Sequence, residues 1–212
     1  MAGYKKNRYS NGAMAIINKS FVPKRKISDR LPPGQYEARD FPVLSLGPTP
    51  RILTANWKLE VRGIANAISW TWDEFLKLPQ ERMTGDIHCV TKWSKFDTAW
   101  EGVSLDTIMR LAKVRPEATH LITNSADGYS TNLPLEDVRG GHAMIAVKYD
   151  GEEIPPEHGG PARLLVPHLY FWKSAKWVNA LKFTDRDEPG FWETRGYHNY
   201  GDPWREQRYT YD

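Results

Sequence analysis

The 212-residue sequence has a single cysteine, Cys89, and no long apolar run. One thiol excludes an internal disulfide framework and a cysteine-ligated iron–sulfur cluster, because such clusters take several thiolates. The longest apolar run near the N-terminus, residues 13–17, is too short for a membrane span or a secretory signal, since a span takes about 18 residues. A twin-arginine signal is also missing. We therefore expect a soluble, cytoplasmic protein without a membrane span.

The positive charge is concentrated in the first 30 residues. Eight Lys or Arg residues occur there against one acid, Asp29, so this stretch carries +7 and the remainder carries −4. We assign residues 1–30 to a basic N-terminal arm and residues 31–212 to one folded domain. Nucleic-acid binding by this domain is disfavoured, because neutralising phosphates takes a clustered basic face.

Short apolar or alternating runs, bounded by turn residues, dominate the rest of the sequence. Hydrophobic residues make up 40% of the chain and include nine tryptophans, which suffices for a sizeable core. Period-two patterning predicts strands. The predicted strands are 57–62, 67–70, 82–90, 120–123, 129–133, 144–148, 152–154, 163–166 and 177–183. This pattern predicts an α+β fold of mixed β-sheets with short helices.

Two helices are predicted between these strands. Thr71 is expected to cap a helix over residues 72–78, since Asp73 and Glu74 would lie in its first turn and Pro79 would end it. A second helix is expected to begin at Leu105.

Cys89 comes at the end of a predicted strand, where a strand opens into a loop. A lone cysteine is more often a buried small hydrophobe than a reactive group. His88 and Lys92 lie close in sequence and both can stabilise a thiolate, the form that acts as nucleophile or metal ligand. Adjacent residues of a strand point to opposite faces, however, so His88 need not touch Cys89. A zinc site is disfavoured, because a second cysteine is lacking.

Four segments, in this order along the chain, resemble the molybdopterin-binding domain of the sulfite oxidase family. They are residues 86–94 around the cysteine, 127–129, 150–167 and 173–177. The order and approximate spacing hold over residues 36–205. The resemblance implies a sulfite-oxidase-type molybdopterin-binding fold. It also implies a molybdenum-cofactor-dependent oxidoreductase that transfers an oxo group to or from a small sulfur- or nitrogen-centred substrate.

The resemblance assigns roles to the cofactor residues. Cys89 matches the family's protein ligand to molybdenum, and His158 and Arg163 match positions that hold the pterin and its phosphate. A later phosphate contact is matched by Ser174, Ala175 and Lys176. Arginine as a fork and lysine as a point charge both suit a phosphate. Outside the family, Arg163 would be read as a surface cation and His158 as a turn residue.

Three further residues match the substrate side of the family's site. Tyr129 matches a tyrosine near the metal's oxo group, where a phenol can donate a hydrogen bond; otherwise it is a half-buried strand aromatic. Trp100 matches a tryptophan bordering the substrate pocket, although a core position is equally compatible with its sequence context. Arg39 lies near the place of an upstream pocket arginine, but the residues around it depart from the family pattern.

Departures from the family limit how far its activity transfers. Sulfite oxidases carry an anion-binding arginine five residues after the cysteine, where this sequence has Ser94 after Trp93. The Trp-Ser pair is similar to the protein-methionine-sulfoxide reductase branch. Because the sequence ends at Asp212, we expect no haem or dimerisation domain and an exchange of electrons with a separate electron-transfer protein. A metal-free cysteine enzyme, with His142, His158 or His168 as base, and a non-catalytic cofactor-binding module remain alternatives.

Overall fold

The computed structural model describes residues 29–212. The basic arm, apart from Asp29 and Arg30, therefore lies outside the described residues. The strands are β1 (Tyr36–Glu37), β2 (Lys58–Gly63), β3 (Ile68–Thr71), β4 (Glu81–His88), β5 (Trp93–Ser104), β6 (His120–Ser125), β7 (Ser130–Pro134), β8 (Met144–Tyr149), β9 (Glu152–Glu153), β10 (Arg163–Leu165) and β11 (Val178–Thr184). The helices are α1 (Trp72–Phe75) and α2 (Leu105–Leu111).

The strands form two mixed sheets. In the first, β1, β5, β8 and β10 lie in that order, while β4 pairs with β5 and β9 with β8. In the second the order is β3, β2, β11, β6 and β7. Each sheet has one parallel pair, β1 with β5 and β2 with β11, and its other pairs are antiparallel. The predicted α+β class with mixed sheets and short helices is confirmed.

The central strand of the first sheet, β5, was missed by the sequence patterning. Its burial alternates only from Thr98 to Gly102, because adjacent residues are buried at both ends of the strand. Small polar residues, Ser94, Thr98 and Ser104, also occupy buried positions, so the strand has no period-two signal of hydrophobicity. Asp97 also has a left-handed backbone with a φ of 55°, which interrupts the strand pattern further.

Both helices begin where the sequence places them. Thr71 accepts a hydrogen bond from the backbone N–H of Glu74, whose side chain accepts one from the Thr71 backbone in return, forming a capping box. Ser104 caps α2 by accepting from the Thr107 N–H. The first helix ends at Phe75, earlier than predicted, because its next residues form a turn. Among the described residues, no helix is both long and apolar enough to cross a membrane.

Two apolar clusters hold the sheets together. The larger one joins the second sheet to α1 and α2 and to one face of the first sheet. The smaller one, beneath the first sheet's β4–β5 turn, includes Cys89, Trp93, Trp100, Phe171 and Trp172. The cysteine therefore lies at the edge of an aromatic cluster and not in an isolated loop.

Candidate cofactor site

The Cys89 thiol belongs to the tight turn that joins β4 to β5. The Lys92 N–H donates to the Cys89 carbonyl at 2.9 Å, and the Cys89 N–H donates to the Trp93 carbonyl at 2.8 Å. Lys92 adopts a φ of 79°, which closes the turn. The thiol Sγ accepts a hydrogen bond from the Thr91 hydroxyl at 3.2 Å. Burial raises the pKa of the Cys89 thiol, which is 7% exposed, so the metal-free thiol is a weak nucleophile at neutral pH.

The neighbours that could have activated a free thiolate face elsewhere. His88 is buried on the opposite side of β4, where its Nδ1 lies 2.8 Å from the Ser94 hydroxyl, and burial lowers its pKa to about 4. Lys92 is exposed and does not line the cleft at Cys89. His168 lies 3.1 Å from Asp137, in a separate surface cluster. His158 shares the cleft with Cys89, but the thiol bonds to Thr91 and no hydrogen bond joins it to His158, which gives little support to a metal-free hydrolase.

A cleft of about 270 Å³ opens beside Cys89. Its walls bring together seven of the nine predicted site residues, from four segments of the chain. These are Cys89, Tyr129, His158, Arg163, Ser174, Ala175 and Lys176. Because these residues are up to 87 positions apart in the sequence, their convergence on one cleft supports a shared binding role.

Arg163 is the most deeply buried cation of the cleft. It is 1% exposed, and its guanidinium donates to the carbonyls of His158 and Ser174 at 2.7 Å each. It packs 4.1 Å over the Phe171 ring, and it has no carboxylate partner among the described residues. Burial lowers its pKa to about 9. A buried charge without a counter-ion is costly, so this position favours an anionic ligand.

Lys176 and His158 extend this cationic end of the cleft. The Lys176 ammonium donates to the carbonyls of Leu44 and Glu157 at 2.7 and 2.6 Å. Burial and the charge of Arg163 lower the pKa of Lys176 to about 8. The pKa of His158 is lowered by burial, Lys176 and Arg163, and its Nδ1 is buried without a hydrogen-bond partner in the described chain. The cations of this cleft repel one another, so a bound phosphate would stabilise them. The unpartnered ring nitrogen could bond to a polar atom of a pterin.

Gly159 allows the His158 turn to lie directly against Lys176. Its φ of 106° is a left-handed conformation, and a Cβ there would meet the Lys176 side chain at 2.9 Å. Ser174 fixes the opposite wall, since its hydroxyl accepts from the Val166 N–H at 2.9 Å. The Ser174 side chain therefore holds the backbone of this wall in place, while the Ser174 carbonyl accepts the hydrogen bond from Arg163.

Tyr129 lines the cleft, and its hydroxyl is hydrogen-bonded to the protein backbone. Its hydroxyl donates to the Trp172 carbonyl at 2.7 Å. Its pKa is raised well above the ordinary value, mainly by burial and also by the Glu193 carboxylate. The phenol is therefore a protonated donor whose acceptor is the protein backbone, and the predicted contact with the metal's oxo group stays a prediction.

Two predicted substrate-side residues lie outside the cleft wall. Trp100 is 1% exposed and its indole N–H donates to the Thr98 hydroxyl at 2.9 Å, so the structure places it in the core beneath the cleft. The contribution of Trp100 to the border of the substrate pocket stays a prediction. Arg39 is exposed and does not line the cleft; the nearby Phe41 does, with its ring stacked 3.9 Å from that of His158.

Several aromatic residues of the site were not predicted. They are Phe41, Trp93, Phe171, Trp172, Trp177, Trp192 and Tyr197. The buried Nε1 of Trp93 has no hydrogen-bond partner among the described residues. Residues 170–172 and 191–197 are rich in aromatic side chains, which could have indicated a pocket wall. Their spacing does not distinguish a pocket wall from a core, however.

The fold and site together define a cofactor-dependent oxidoreductase of the molybdopterin class. The family model described as "oxidoreductase molybdopterin binding domain" matches residues 46–192, and the chain belongs to that family. The chain is 42% identical over 187 residues to the uncharacterised oxidoreductase YuiH of Bacillus subtilis, covering 87% of this chain and 94% of that protein.

More distant relatives are longer than the matched region. The protein-methionine-sulfoxide reductase catalytic subunit MsrP of Campylobacter jejuni is 28% identical, with 70% of this chain and 56% of that protein covered. Mitochondrial sulfite oxidase of Drosophila melanogaster is 26% identical, with coverage of 72% and 31%. The structure of sulfane dehydrogenase SoxCD from Paracoccus pantotrophus is similar in fold, with a TM-score of 0.60 at 23% identity over 65% of this chain and 40% of that chain. The predicted sulfite oxidase-like membership is confirmed.

The residues present fit the family's cofactor. Cys89 would supply a soft thiolate to molybdenum, since a coordinating thiol is held deprotonated by the metal without a base. Arg163 and Lys176 suit the phosphate, and the orphaned Nδ1 of His158 suits a polar pterin atom.

Proposed function

We propose that this protein reduces small neutral sulfoxides or N-oxides, with electrons from a separate protein. The molybdenum cofactor, held by Cys89, Arg163 and Lys176, would supply the two-electron change. The overall reaction balances as the oxide plus two protons and two electrons giving the deoxygenated product and water. The protein would bind the oxide, exclude water and direct its oxygen into the cleft.

The placement of charge in the cleft carries this proposal. Among the described residues that line it, Arg163 and Lys176 are the only lysine or arginine, and both are assigned to the phosphate of the cofactor. Ser94, at the position of the sulfite oxidase arginine, is fully buried beside His88. A doubly charged sulfite would have to lose its hydration among Val90, Trp93 and other uncharged neighbours of Cys89 without gaining a free cation.

One group of relatives supports the same direction. The match to a protein-methionine-sulfoxide reductase covers 70% of this chain, and the name of that protein describes the reduction of a neutral sulfur oxide. We also propose a separate electron donor and a cytoplasmic location, both of which remain predictions from the sequence.

The test is a substrate comparison on the molybdenum-loaded protein. We expect turnover of methyl phenyl sulfoxide or trimethylamine N-oxide with reduced benzyl viologen, and little oxidation of sulfite with ferricyanide. Cys89→Ser should lose the turnover, with molybdenum content followed by mass spectrometry. Sulfite oxidation faster than reduction of every oxide would contradict the proposal.

A further inference from the structure

Tyr197 occupies a rigid position on the wall of the cleft. Its ring stacks on that of Trp192 at 4.7 Å, with 16° between the planes, and it meets the Trp172 ring edge-on at 5.1 Å. Its N–H donates to the Trp192 carbonyl at 3.1 Å, and its backbone forms a bridge with Tyr209. The ring is therefore held by packing on both sides and by the backbone.

The segment that carries Tyr197 is anchored beneath the cleft. Glu193 accepts hydrogen bonds from the Trp172 indole and the Thr131 hydroxyl at 3.0 Å each, and it pairs with the Lys173 ammonium at 2.6 Å. Both charged side chains are 1% exposed. This buried pair fixes the start of the segment, so the phenol has little freedom to move away from the cleft.

The Tyr197 phenol differs from the Tyr129 phenol in its hydrogen bonding. Tyr129 donates to the Trp172 carbonyl, whereas Tyr197 makes no side-chain hydrogen bond to any of the residues that the structure describes. Tyr197 lines the same cleft as Cys89, and burial raises the pKa of its phenol. A protonated phenol without a side-chain hydrogen bond to the described residues therefore faces this cleft.

We propose that Tyr197 is the substrate-contacting donor of this site, and that its hydroxyl binds the oxygen of the sulfoxide or N-oxide. The inference rests on the proposed function and adds the residue that selects the substrate. Tyr129 keeps its bond to the backbone and positions Trp172. A neutral phenol matches the partly negative oxygen of a neutral oxide, and no added cation is needed to bind it.

The test compares Tyr197→Phe with Tyr129→Phe. Phenylalanine keeps the stacking on Trp192 and removes only a hydroxyl that has no partner in the described chain, so folding and molybdenum content should match wild type. We expect kcat/KM for methyl phenyl sulfoxide to fall about 10-fold or more. The dissociation constant of dimethyl sulfone, measured by tryptophan fluorescence without turnover, should rise several-fold.

Tyr209→Phe is the matched control, because Tyr209 contacts the Tyr197 ring at 5.8 Å but does not line the cleft. It should leave both measurements unchanged. Equal values for Tyr197→Phe and wild type, or the full loss appearing in Tyr129→Phe alone, would overturn the inference while leaving the proposed function intact. A loaded wild type that reduces no oxide would refute the proposed function, and this inference with it.

Discussion

At the scale of single residues, the cationic end of the cleft is stabilised by backbone carbonyls where carboxylates would be expected. Arg163 and Lys176 each donate to two carbonyls. Carbonyl dipoles compensate a buried charge only partly, which is why the pKa of both groups is depressed. The empty protein is thus less stable with these charges present, and an anion that binds them should stabilise it.

Because the pKa of Lys176 is lowered in the folded protein, the free energy of unfolding should depend on pH. Between about 8, its folded pKa, and its ordinary value of 10.5, the unfolded chain binds the proton and the folded chain does not. Unfolding then takes up a proton, so the free energy of unfolding of cofactor-free protein should rise with pH from 7.5 to 9.5, by on the order of 1 kcal/mol. Urea unfolding across this range measures it.

Lys176→Met should flatten this rise. Lys77→Met, which changes an exposed lysine in the turn after α1, serves as the control and should keep the wild-type slope. A slope that survives Lys176→Met would assign the effect to other groups.

The site residues that the sequence predicted are those with a short local signature. Cys89, His158, Arg163 and Lys176 stand in recognisable segments, and all four line the cleft. The aromatic wall has no such signature, because any large apolar side chain can fill either a core or a pocket. Trp100 illustrates the limit, since only the packing beneath the cleft distinguishes its two readings.

At the scale of elements, β5 is the strand on which the first sheet is built, and its backbone lies very close to that of β8. It pairs with β1, β4 and β8. The sequence did not predict β5, because several of its buried residues are polar. The strands β2, β8 and β11 were predicted because their inward faces are apolar. Local patterning therefore predicts strands with an apolar face and misses those whose buried side chains bond within the sheet, as Thr98 does to the Gly85 carbonyl.

Gly102 is the point at which β5 tolerates least change. A Cβ there would lie 2.1 Å from the Ile145 carbonyl oxygen of β8, which requires the strands to separate. Gly102→Ala should cost at least about 3 kcal/mol or prevent folding. Gly85→Ala in the adjoining β4 has its nearest contact at 3.7 Å and should cost under about 1 kcal/mol, by urea unfolding. Equal effects of the two substitutions would contradict this account.

The Lys173–Glu193 pair ties the segment after β11 to the cleft floor. Glu193→Gln removes the carboxylate partner of a buried ammonium that keeps its hydrogen bonds to Asn132 and to the Asn199 carbonyl, so we expect a loss of about 3 kcal/mol in urea unfolding. The double variant Lys173→Met with Glu193→Gln removes both charges and should recover part of that loss. Additive losses in the double variant would show that the two charges do not interact.

At the scale of the whole molecule, both ends of the described chain meet at the cysteine turn. The Gln35 side-chain amide donates to the Cys89 carbonyl at 3.0 Å, and the Tyr36 N–H donates to the Lys92 carbonyl at 2.8 Å. From the other end, the buried Arg208 guanidinium donates to the Val90 carbonyl at 2.7 Å. The turn that presents the thiol is therefore held by distant parts of the sequence, which no local pattern could predict.

Arg208→Met tests this arrangement. It removes the donors to Val90 and Pro33, and we expect a loss of about 2 kcal/mol, or roughly 4–8 °C in Tm for a domain of this size. Molybdenum retention should fall as well. Arg205→Met, at an exposed position three residues earlier, is the control and should leave both unchanged. Unchanged molybdenum retention in Arg208→Met would mean that the cysteine turn keeps its shape without the Arg208 hydrogen bonds.

The bond between Arg208 and Val90 also fixes an order of events during synthesis. The two residues are 118 positions apart, so at ~5–20 residues per second the turn waits on the order of ten seconds for its donor. A ribosome-bound or prematurely terminated chain carries the thiol without the support that shapes the turn. We therefore expect a chain to capture the cofactor only after Arg208 has been synthesised.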